Sequence, residues 1–339
     1  MTGHEGSRAW FGEPLRSSLQ QPDNSPIDFK VEIRKAAARV VVLNCIDFLY
    51  GHSLLKLLNA THHLHNRGPD LVVLVPSFMR WLVPEGVAEV WTVDLPLARA
   101  KGYFPELHRK IDKELERFEH VEVSRAFSHP SDFRLEDFTR VPRHDLSARD
   151  FRVTFVWRAD RLWLPENLWT RVARRAWLHS LLLAMQRLKI RILLGRVRRA
   201  IPRAKLTVAG LGRQGNFPSW IEDCRVDRLG DTQAERAHCR IYSESRVVIG
   251  VHGSNLLLPS GHAGMCIDLM PAARWSNIAQ DILLSPEDFS GDQRISAYRY
   301  RFAPISISPQ EVADMIVSMI GSFDWVAGRF VSERQEFSN

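Results

Sequence analysis

An apolar run, SRVVIGV, leads directly into the turn His252-Gly253-Ser254-Asn255. In sheets that alternate with helices, ligands bind beyond the carboxyl ends of the strands, where helix N-termini point free amides and a positive dipole end outward. Gly253 lets the backbone approach a ligand closely, and Ser254 can cap the helix that follows. The pattern predicts an anion-binding turn. A histidine satisfied within a tight turn and a plain helix cap are the alternative interpretations of His252 and Ser254.

Two series of buried strands and helices would position this turn. The apolar runs predict strands at 38–46, 70–76 and 88–96, then at 151–158, 204–211, 246–251 and 265–270. Helical spacing predicts helices after the first strand, at 105–121, over 166–199, after Asp231, after Ser254, and at 309–323, where the helix could cross back onto the first series. Continuous β-branched runs that alternate with helices are typical of parallel α/β sheets. The predicted fold class is therefore α/β.

Breaks in periodicity divide the chain into parts. Residues 1–30 contain Gly, Ser, Pro and Gln without a period and predict a flexible N-terminal arm. An aperiodic stretch near 128–150 predicts a domain boundary. We therefore predict an N-terminal α/β domain at 31–148, a C-terminal α/β domain at 149–308, and a helix and tail at 309–339. A chain of 339 residues is long enough for two such cores.

The composition, 45% hydrophobic and 25% charged, is ordinary for a folded, water-soluble protein. No apolar run approaches the roughly 18 residues that a membrane-spanning helix needs, and the N-terminus lacks an apolar signal core, so we expect a cytoplasmic protein. The four cysteines lie far apart without C-x-x-C spacing, which favours reduced core residues over a disulfide or zinc site. The net charge of +7 is concentrated in residues 171–205, which carry eleven Lys or Arg and no acidic residue.

The turn and its flanks resemble a known class of enzymes. His-Gly-Ser-Asn, a short helix closed by Ala263-Gly264 and an apolar strand ending at Pro271 together resemble the nucleotide-binding segment of GT-B-type glycosyltransferases. More narrowly, SRVVIGVHGS resembles the C-terminal signature of the glycosyltransferase family 61 group. The resemblance implies two Rossmann-like domains in a GT-B arrangement with a cleft between them. It also implies a nucleotide-diphosphate-sugar donor on the C-terminal domain and the acceptor on the N-terminal domain.

The positions that the resemblance assigns to donor binding are Arg158, Arg161, Arg213, His252, Gly253, Ser254, Asn255 and Asp268. The turn would meet the diphosphate, and Arg158 or Arg161 would meet the leaving group, because an arginine fork suits phosphate oxygens. Arg213 would help to shape the base pocket, with a surface turn as the alternative. Asp268 would contact the ribose or, alternatively, cap a neighbouring group.

Charge neutralisation and proton removal complete the predicted chemistry. No two aspartates are separated by a single residue, so the Asp-x-Asp of metal-dependent transferases is absent. Arginine, helix dipole and backbone amides would then neutralise the diphosphate, which predicts a site without a metal or cofactor. His52 and Asp47, after the first strand, are the candidate general bases for the acceptor hydroxyl. The alternative is a cap assembly in which Ser53 caps the helix and His52 is merely exposed.

The segment 176–199 contains an apolar stripe at helical spacing, formed by Trp177, Leu181, Met185, Leu188 and Ile192. We expect this stripe to pack on the second sheet, with the basic residues in water. Peripheral docking of 171–205 on an anionic membrane is an alternative that suits a lipid-linked acceptor. Nucleic-acid binding is a weaker alternative, because the segment has only one aromatic residue and no recognised binding motif.

These observations predict a metal-independent, inverting glycosyltransferase of polysaccharide biosynthesis. It would move a sugar from a nucleotide-diphosphate-sugar to a glycan or lipid-linked acceptor. Two alternatives stay open. Another GT-B enzyme, such as a nucleotide-sugar epimerase, would need acidic catalytic groups close to the donor. A non-catalytic protein of the same fold would bind a glycan or a nucleic acid.

Overall fold

The structure is a computed structural model that describes residues 12–66, 68–126, 130, 133–165, 178–227, 231–283 and 299–322. The chain divides into two compact units, Met1–Phe138 and Thr139–Asn339. This division lies earlier in the chain than the predicted one after residue 148. Residues 139–148 belong to the second unit because the Arg143 Nε–H donates to the Gly261 carbonyl (3.0 Å) and the His144 N–H donates to the His262 carbonyl (2.7 Å).

The first unit is built on a five-stranded sheet with the order β1-β4-β3-β2-β5. Its strands are β1 (Phe29–Ile33), β2 (Arg39–Asn44), β3 (Asp70–Pro76), β4 (Glu89–Val93) and β5 (His120–Val123). β1 runs antiparallel to β4, and the other pairs are parallel. β2 and β3 are predominantly valine and leucine, as expected for parallel strands buried on both faces, and all five residues of β4 are buried as well.

The helices of this unit are α1 (Glu13–Gln20), α2 (Tyr50–Leu58), α3 (Ala60–His65), α4 (Pro105–Leu115) and α5 (Leu135–Thr139), which ends at the division. Short 3₁₀ helices lie at Ser77–Leu82 and Leu97–Arg99. Within the predicted arm, α1 buries none of its residues, but Ile27 is buried in the core of the unit. Asp23 also accepts a hydrogen bond from Arg99 (2.8 Å), so the end of this segment is attached to the fold.

The second unit is built on a six-stranded parallel sheet with the order β11-β10-β9-β6-β7-β8. Its strands are β6 (Arg152–Arg158), β7 (Lys205–Leu211), β8 (Glu222–Val226), β9 (Ser245–Val251), β10 (Met265–Met270) and β11 (Tyr300–Pro304). Counted from β6, the order is 6-5-4-1-2-3, which is that of a dinucleotide-type Rossmann sheet. The predicted α/β fold with parallel sheets is confirmed.

Helices cover both faces of this sheet. They are α6 (His179–Ala200), α7 (Thr232–Ser243), α8 (Leu257–His262) and α9 at 309–322, with 3₁₀ helices at Ser254–Leu256 and Ala272–Asn277. α6 and α9 pack on the face that carries Phe155, and α7 packs on the face that carries Val156. The apolar side of α9 lies in the core of the second unit, which corrects the option of a helix that crosses back onto the first series.

The face of α6 that packs on the sheet differs from the predicted one. Leu181, Met185, Leu188 and Ile192 are exposed, while a second apolar face is buried, formed by Leu182, Leu183, Ile190, Leu193, Leu194 and Val197. The buried face contains six apolar side chains, and the described part of the exposed stripe contains four. Trp177, the first member of the predicted stripe, lies outside the described residues.

Among the strands of the described residues, the sequence analysis missed β1, β5, β8 and β11, and all four lie at sheet edges. β5 replaces the end of the helix predicted over 105–121, which stops at Leu115. Edge strands contact one neighbour and are partly exposed, so their sequences mix polar and apolar residues and lack a continuous apolar run.

The four cysteines are free, and three of them, Cys45, Cys239 and Cys266, are buried. Burial raises the pKa of these three thiols far above its ordinary value, so they remain protonated in the core.

Among the described helices, none combines the length and apolar character that crossing a membrane requires.

A buried ion pair ties β4 to the segment after α4. The Glu89 carboxylate accepts two hydrogen bonds from Arg117 (3.0 and 2.6 Å) and one from the Trp91 indole (2.8 Å). We expect Arg117→Ala to destabilise the protein by about 2 to 3 kcal/mol, because it leaves a buried carboxylate without its cation. Urea unfolding followed by tryptophan fluorescence measures the loss. The exposed Arg109→Ala is the matched control, and an equal loss in both variants would contradict the assignment.

Candidate functional site

The strand order of the second unit creates a switch point between β6 and β9. After β6 the chain leads to α6 on one face of the sheet, and after β9 it leads through Ser254–Leu256 to the other face. Two connections that diverge in this way leave room for a ligand beyond the carboxyl ends of their strands. The residues after β6, β7, β9 and β10 all lie along this edge, because the strands are parallel.

Arg161 joins the two sides of the switch point. Its Nη1–H donates to the carbonyl oxygen of His252 (2.6 Å), so a residue after β6 holds the turn after β9. The guanidinium lies so close to Gly253 that a β-carbon there would overlap it. Gly253 also has φ +146°, a conformation that other residues rarely adopt. Glycine is therefore required at this position to admit the Arg161 guanidinium, while the predicted close approach of a ligand stays a prediction.

The His252 ring is enclosed by two carboxylates. Nδ1 lies 2.7 Å from Asp268 Oδ2, Nε2 lies 3.1 Å from Asp281 Oδ2, and the residue is 4% exposed. Both ring nitrogens are thereby engaged. The predicted contact between the His252 side chain and a diphosphate does not fit this geometry, and the interpretation as a histidine satisfied within the turn does.

The two carboxylates beside the His252 ring are shielded from water, with side chains that are 0% and 17% exposed for Asp268 and Asp281. Burial raises the pKa of both Asp268 and Asp281, while His252 opposes that rise. Burial also lowers the pKa of Arg161, whose positive charge in turn opposes the rise in the pKa of both carboxyls.

Asp268 lies entirely below the surface, so its predicted contact with a ribose does not fit. The alternative, a polar residue that holds a neighbour, does fit, because its partner is His252. The sequence analysis missed Asp281. This residue follows the 3₁₀ helix Ala272–Asn277 in a segment without periodicity or motif, so nothing in the sequence associated it with the turn.

The turn itself differs from a capped helix start. Gly253 is the N-cap of the 3₁₀ helix, and no side chain caps it, so the predicted capping role of Ser254 is wrong. The Leu256 N–H closes the turn onto the Gly253 carbonyl (2.8 Å) and is not available to a ligand. Neither side-chain polar atom of Asn255 has a hydrogen-bond partner among the described residues, although both atoms are shielded from solvent. Asn255 thus keeps both a donor and an acceptor at the site.

The two candidate arginines after β6 differ in their partners. Both carboxylate oxygens of Asp160 accept hydrogen bonds from Arg158 (2.8 Å each), so the fork of this arginine is already occupied. Arg161 uses Nη1 to hold the turn, and no other hydrogen bond of its guanidinium is found among the described residues. Arg161 is therefore the better placed of the two to receive an anion.

Arg213 follows β7 and has an exposed side chain, while its backbone N–H donates to Asp227 (2.9 Å). The buried Arg225 shapes the same loop by donating to the carbonyls of Gln214 and Gly215 (2.9 and 2.5 Å). The segment after β10 adds Trp275, an exposed side chain that the sequence analysis missed. The rule that ligands bind beyond strand ends could have found Trp275, because it closely follows Pro271.

Asp47 and His52 lie together beyond β2, in the first unit. The Asp47 carboxylate is 5% exposed and accepts hydrogen bonds from the Leu49 N–H (3.0 Å) and the Lys56 ammonium (2.9 Å). His52 Nδ1 lies 3.4 Å from the same carboxylate, and its ring is more than one-third exposed. Leu49 is the N-cap of α2 and no side chain caps the helix, so the alternative in which Ser53 caps it is wrong.

The surroundings of Asp47 decide its role. Burial would raise the pKa of this carboxyl, but hydrogen bonds from His52, Lys56 and the Leu49 N–H together lower it to about 2. A carboxylate this acidic and this well paired is a poor base at neutral pH. Asp47 is instead placed to orient the His52 ring through Nδ1, which leaves Nε2 on the side of the ring away from the carboxylate.

No protein-family description matches the chain, and no curated protein sequence matches it. Among solved structures, the dodecameric iron-containing heptosyltransferase TibC in complex with ADP-D-beta-D-heptose is 11% identical over 75% of this chain and 63% of that chain, with a TM-score of 0.33. The bacterial iron-containing dodecameric glycosyltransferase TibC from enterotoxigenic E. coli is 12% identical over 70% and 59%, with a TM-score of 0.27. The chain thus spans less than two thirds of these structures. Both likenesses are weak, and membership of glycosyltransferase family 61 stays a prediction.

Gly253→Ala tests the contact between the turn and Arg161. We expect a loss of about 2 kcal/mol in the free energy of unfolding, because the new methyl group meets both a strained φ and the guanidinium. Gly68→Ala is the matched control, since a β-carbon at Gly68 meets nothing within 4 Å. Chemical denaturation should show little change for Gly68→Ala, and the same small change at position 253 would contradict the described turn.

Asp47→Asn tests the paired carboxylate through pH. The pKa of Asp47 is about 2 in the folded protein and about 4 in an unfolded chain, so its ionisation stabilises the fold above pH ~4. This contribution, about 2 kcal/mol, is lost as pH falls through the folded pKa. The difference in unfolding free energy between the native protein and Asp47→Asn should shrink from pH ~4 to pH ~2. A constant difference would contradict the pairing, and the exposed Asp314→Asn controls for the substitution itself.

Proposed function

We propose that the chain is an inverting glycosyltransferase that uses a nucleotide-diphosphate-sugar. The observation that carries this proposal is the Arg161 guanidinium, which is held over the Gly253 backbone at the switch point of a Rossmann-ordered sheet. An arginine fork beside a glycine turn at such a position suits the oxygens of a diphosphate. The acceptor in this proposal is a glycan or a lipid-linked glycan, as in polysaccharide biosynthesis.

The donor site follows from the groups beside Arg161. Its remaining N–H donors bind the diphosphate, and Arg158 joins when its fork exchanges Asp160 for phosphate oxygens. The Asn255 amide supplies a further donor and acceptor. The exposed Trp275 offers a flat apolar surface on which a base or a sugar can stack. In this proposal, cationic side chains and amides neutralise the diphosphate without a metal or a cofactor.

The acceptor chemistry is assigned to the first unit. His52 removes the proton from an acceptor hydroxyl. At the same time, the oxygen of that hydroxyl forms a bond to the anomeric carbon of the donor sugar, from the face opposite the nucleotide. The bond between that carbon and the diphosphate breaks, and its electron pair leaves with the nucleotide. Asp47 is a positioning residue that orients His52 and stabilises the imidazolium formed when the proton arrives.

One observation favours a second candidate, a nucleotide-sugar epimerase of the same fold. Asp281 and Asp268 both have raised pKa values and lie next to the turn after β9. An epimerase would use acid and base groups on the donor side and would need no separate acceptor. Because Asp268 and His252 are buried, only the partly exposed Asp281 would be able to reach a sugar.

The proposal is tested first by donor binding. Thermal stabilisation of the full chain is measured against UDP-, GDP-, ADP-, CMP- and dTDP-sugars, and a cognate donor at 100 times its dissociation constant should stabilise by about 2.7 kcal/mol. Arg161→Ala should weaken binding at least about tenfold, because it removes charge-assisted hydrogen bonds to the diphosphate. The exposed Arg109→Ala is the control for loss of an arginine elsewhere. Stabilisation that Arg161→Ala leaves intact would remove the basis of the proposal.

Transfer is then separated from epimerisation. With an accepted glycan present, the native protein should release nucleotide diphosphate, and His52→Ala should retain donor binding but lose this release. His65→Ala, which changes an exposed histidine of α3, is its matched control. Deuterium incorporation into the sugar of the nucleotide-sugar in D₂O, without an acceptor and dependent on Asp281, would instead identify the epimerase.

A further inference from the structure

The outward face of α6 carries an exposed apolar stripe. Leu181, Met185, Leu188 and Ile192 are 48%, 38%, 54% and 43% exposed, and their spacing of four, three and four residues places them on one side of the helix. The opposite side of α6 is buried in the core of the second unit, so the helix is already anchored there. A continuous apolar surface on a folded helix marks an interaction site.

Basic residues accompany this stripe. Arg199 follows Ile192 by seven residues and continues the stripe, Arg196 follows it by four, and Arg191 follows Leu188 by three. Residues 178–205 of the structure contain no acidic side chain. The other cations of α6 have partners within the protein: Arg187 donates to the Gln214 carbonyl, Lys189 lies over Trp163, and Arg198 lies over Trp220. Arg199 also donates its Nε–H to the Gly195 carbonyl within α6 (3.3 Å), and no other contact of the Arg191, Arg196 or Arg199 guanidinium is found among the described residues. Their remaining N–H groups can therefore meet an anionic surface.

The positive charge continues beyond the end of the helix. Arg203 lines an open cavity of about 430 Å³ together with Arg149 and Arg246. The remaining described residues that line it, Leu146, Ser147 and Ala148, are uncharged. A cavity with three arginines and no lining carboxylate suits a phosphate headgroup.

We propose that α6 docks the protein on the surface of an anionic lipid bilayer. Its apolar stripe enters the boundary between headgroups and acyl chains, and its arginines and the cavity meet lipid phosphates. A second copy of the chain is a poorer occupant, because stripe-to-stripe packing would bring Arg191, Arg196 and Arg199 of both copies together. Nucleic acid is also a poorer occupant, because the four apolar side chains of the stripe would make no favourable contact with its phosphates.

Vesicle sedimentation of the full-length protein tests this surface. Vesicles of phosphatidylcholine alone are compared with vesicles that also contain phosphatidylglycerol, and binding should require the anionic lipid and weaken with added salt. The double variant Leu181→Gln with Leu188→Gln should bind about tenfold more weakly. Its matched control is Ile33→Gln with Val123→Gln, which removes two exposed apolar side chains of the first unit.

A second pair of variants tests the charge. Arg191→Gln with Arg199→Gln should weaken binding to the anionic vesicles about tenfold, and its control, Arg109→Gln with Lys113→Gln, should not. All four substituted positions are exposed, so unchanged thermal unfolding is expected and verifies that each variant is folded. Donor binding, measured in parallel, should be the same in all variants, so failure here is distinguishable from failure of the proposed function.

Three results would overturn the docking surface. The first is equal vesicle binding by the α6 variants and their controls. The second is a dimer in solution that Leu181→Gln with Leu188→Gln dissociates, without vesicle binding by the native protein. The third is retention of duplex nucleic acid that depends on Arg191 and Arg199 but not on the apolar stripe.

Discussion

The bond from Arg161 to the His252 carbonyl is the contact on which the geometry of the candidate site depends. It connects a residue that follows β6 with the turn that follows β9, and these strands send the chain to opposite faces of the sheet. Gly253 makes this contact possible, because any side chain there would displace the guanidinium. The Arg161 guanidinium thus sets the separation between the segment after β6 and the turn after β9. It presents its remaining N–H donors at the same place.

His252 is buried with partners for both its ring and its backbone. Nδ1 pairs with Asp268, Nε2 lies 3.1 Å from Asp281 Oδ2, and the carbonyl accepts a hydrogen bond from Arg161. The charge of Arg161 also opposes the rise in the pKa of both carboxyls. His252 thus uses its ring to fix the turn and its carbonyl to hold Arg161.

The sequence predicted the interior of both sheets better than their edges. Strands with two neighbours, such as β3 and β10, are dominated by apolar residues, and their predicted and observed bounds agree. Edge strands lack this signal. The position of the turn after β9 was predictable, because ligands bind beyond the carboxyl ends of parallel strands. The partners of the His252 ring were not predictable. Asp281 approaches from an aperiodic segment, and a pattern of one strand carries no information on which residues fold over it. α6 posed a different difficulty, since it has two apolar faces and sequence spacing alone does not rank them.

The form of the β5 edge has a consequence for how the protein behaves at high concentration. β5 has four residues, is exposed along most of its length and carries His120 and Glu122 beside β2. A strand this short gives another chain little backbone to hydrogen-bond, and Val123 is its only largely exposed apolar side chain. The parallel sheet next to it, which is rich in valine, is thereby shielded from intermolecular strand addition, the first step by which exposed sheets aggregate.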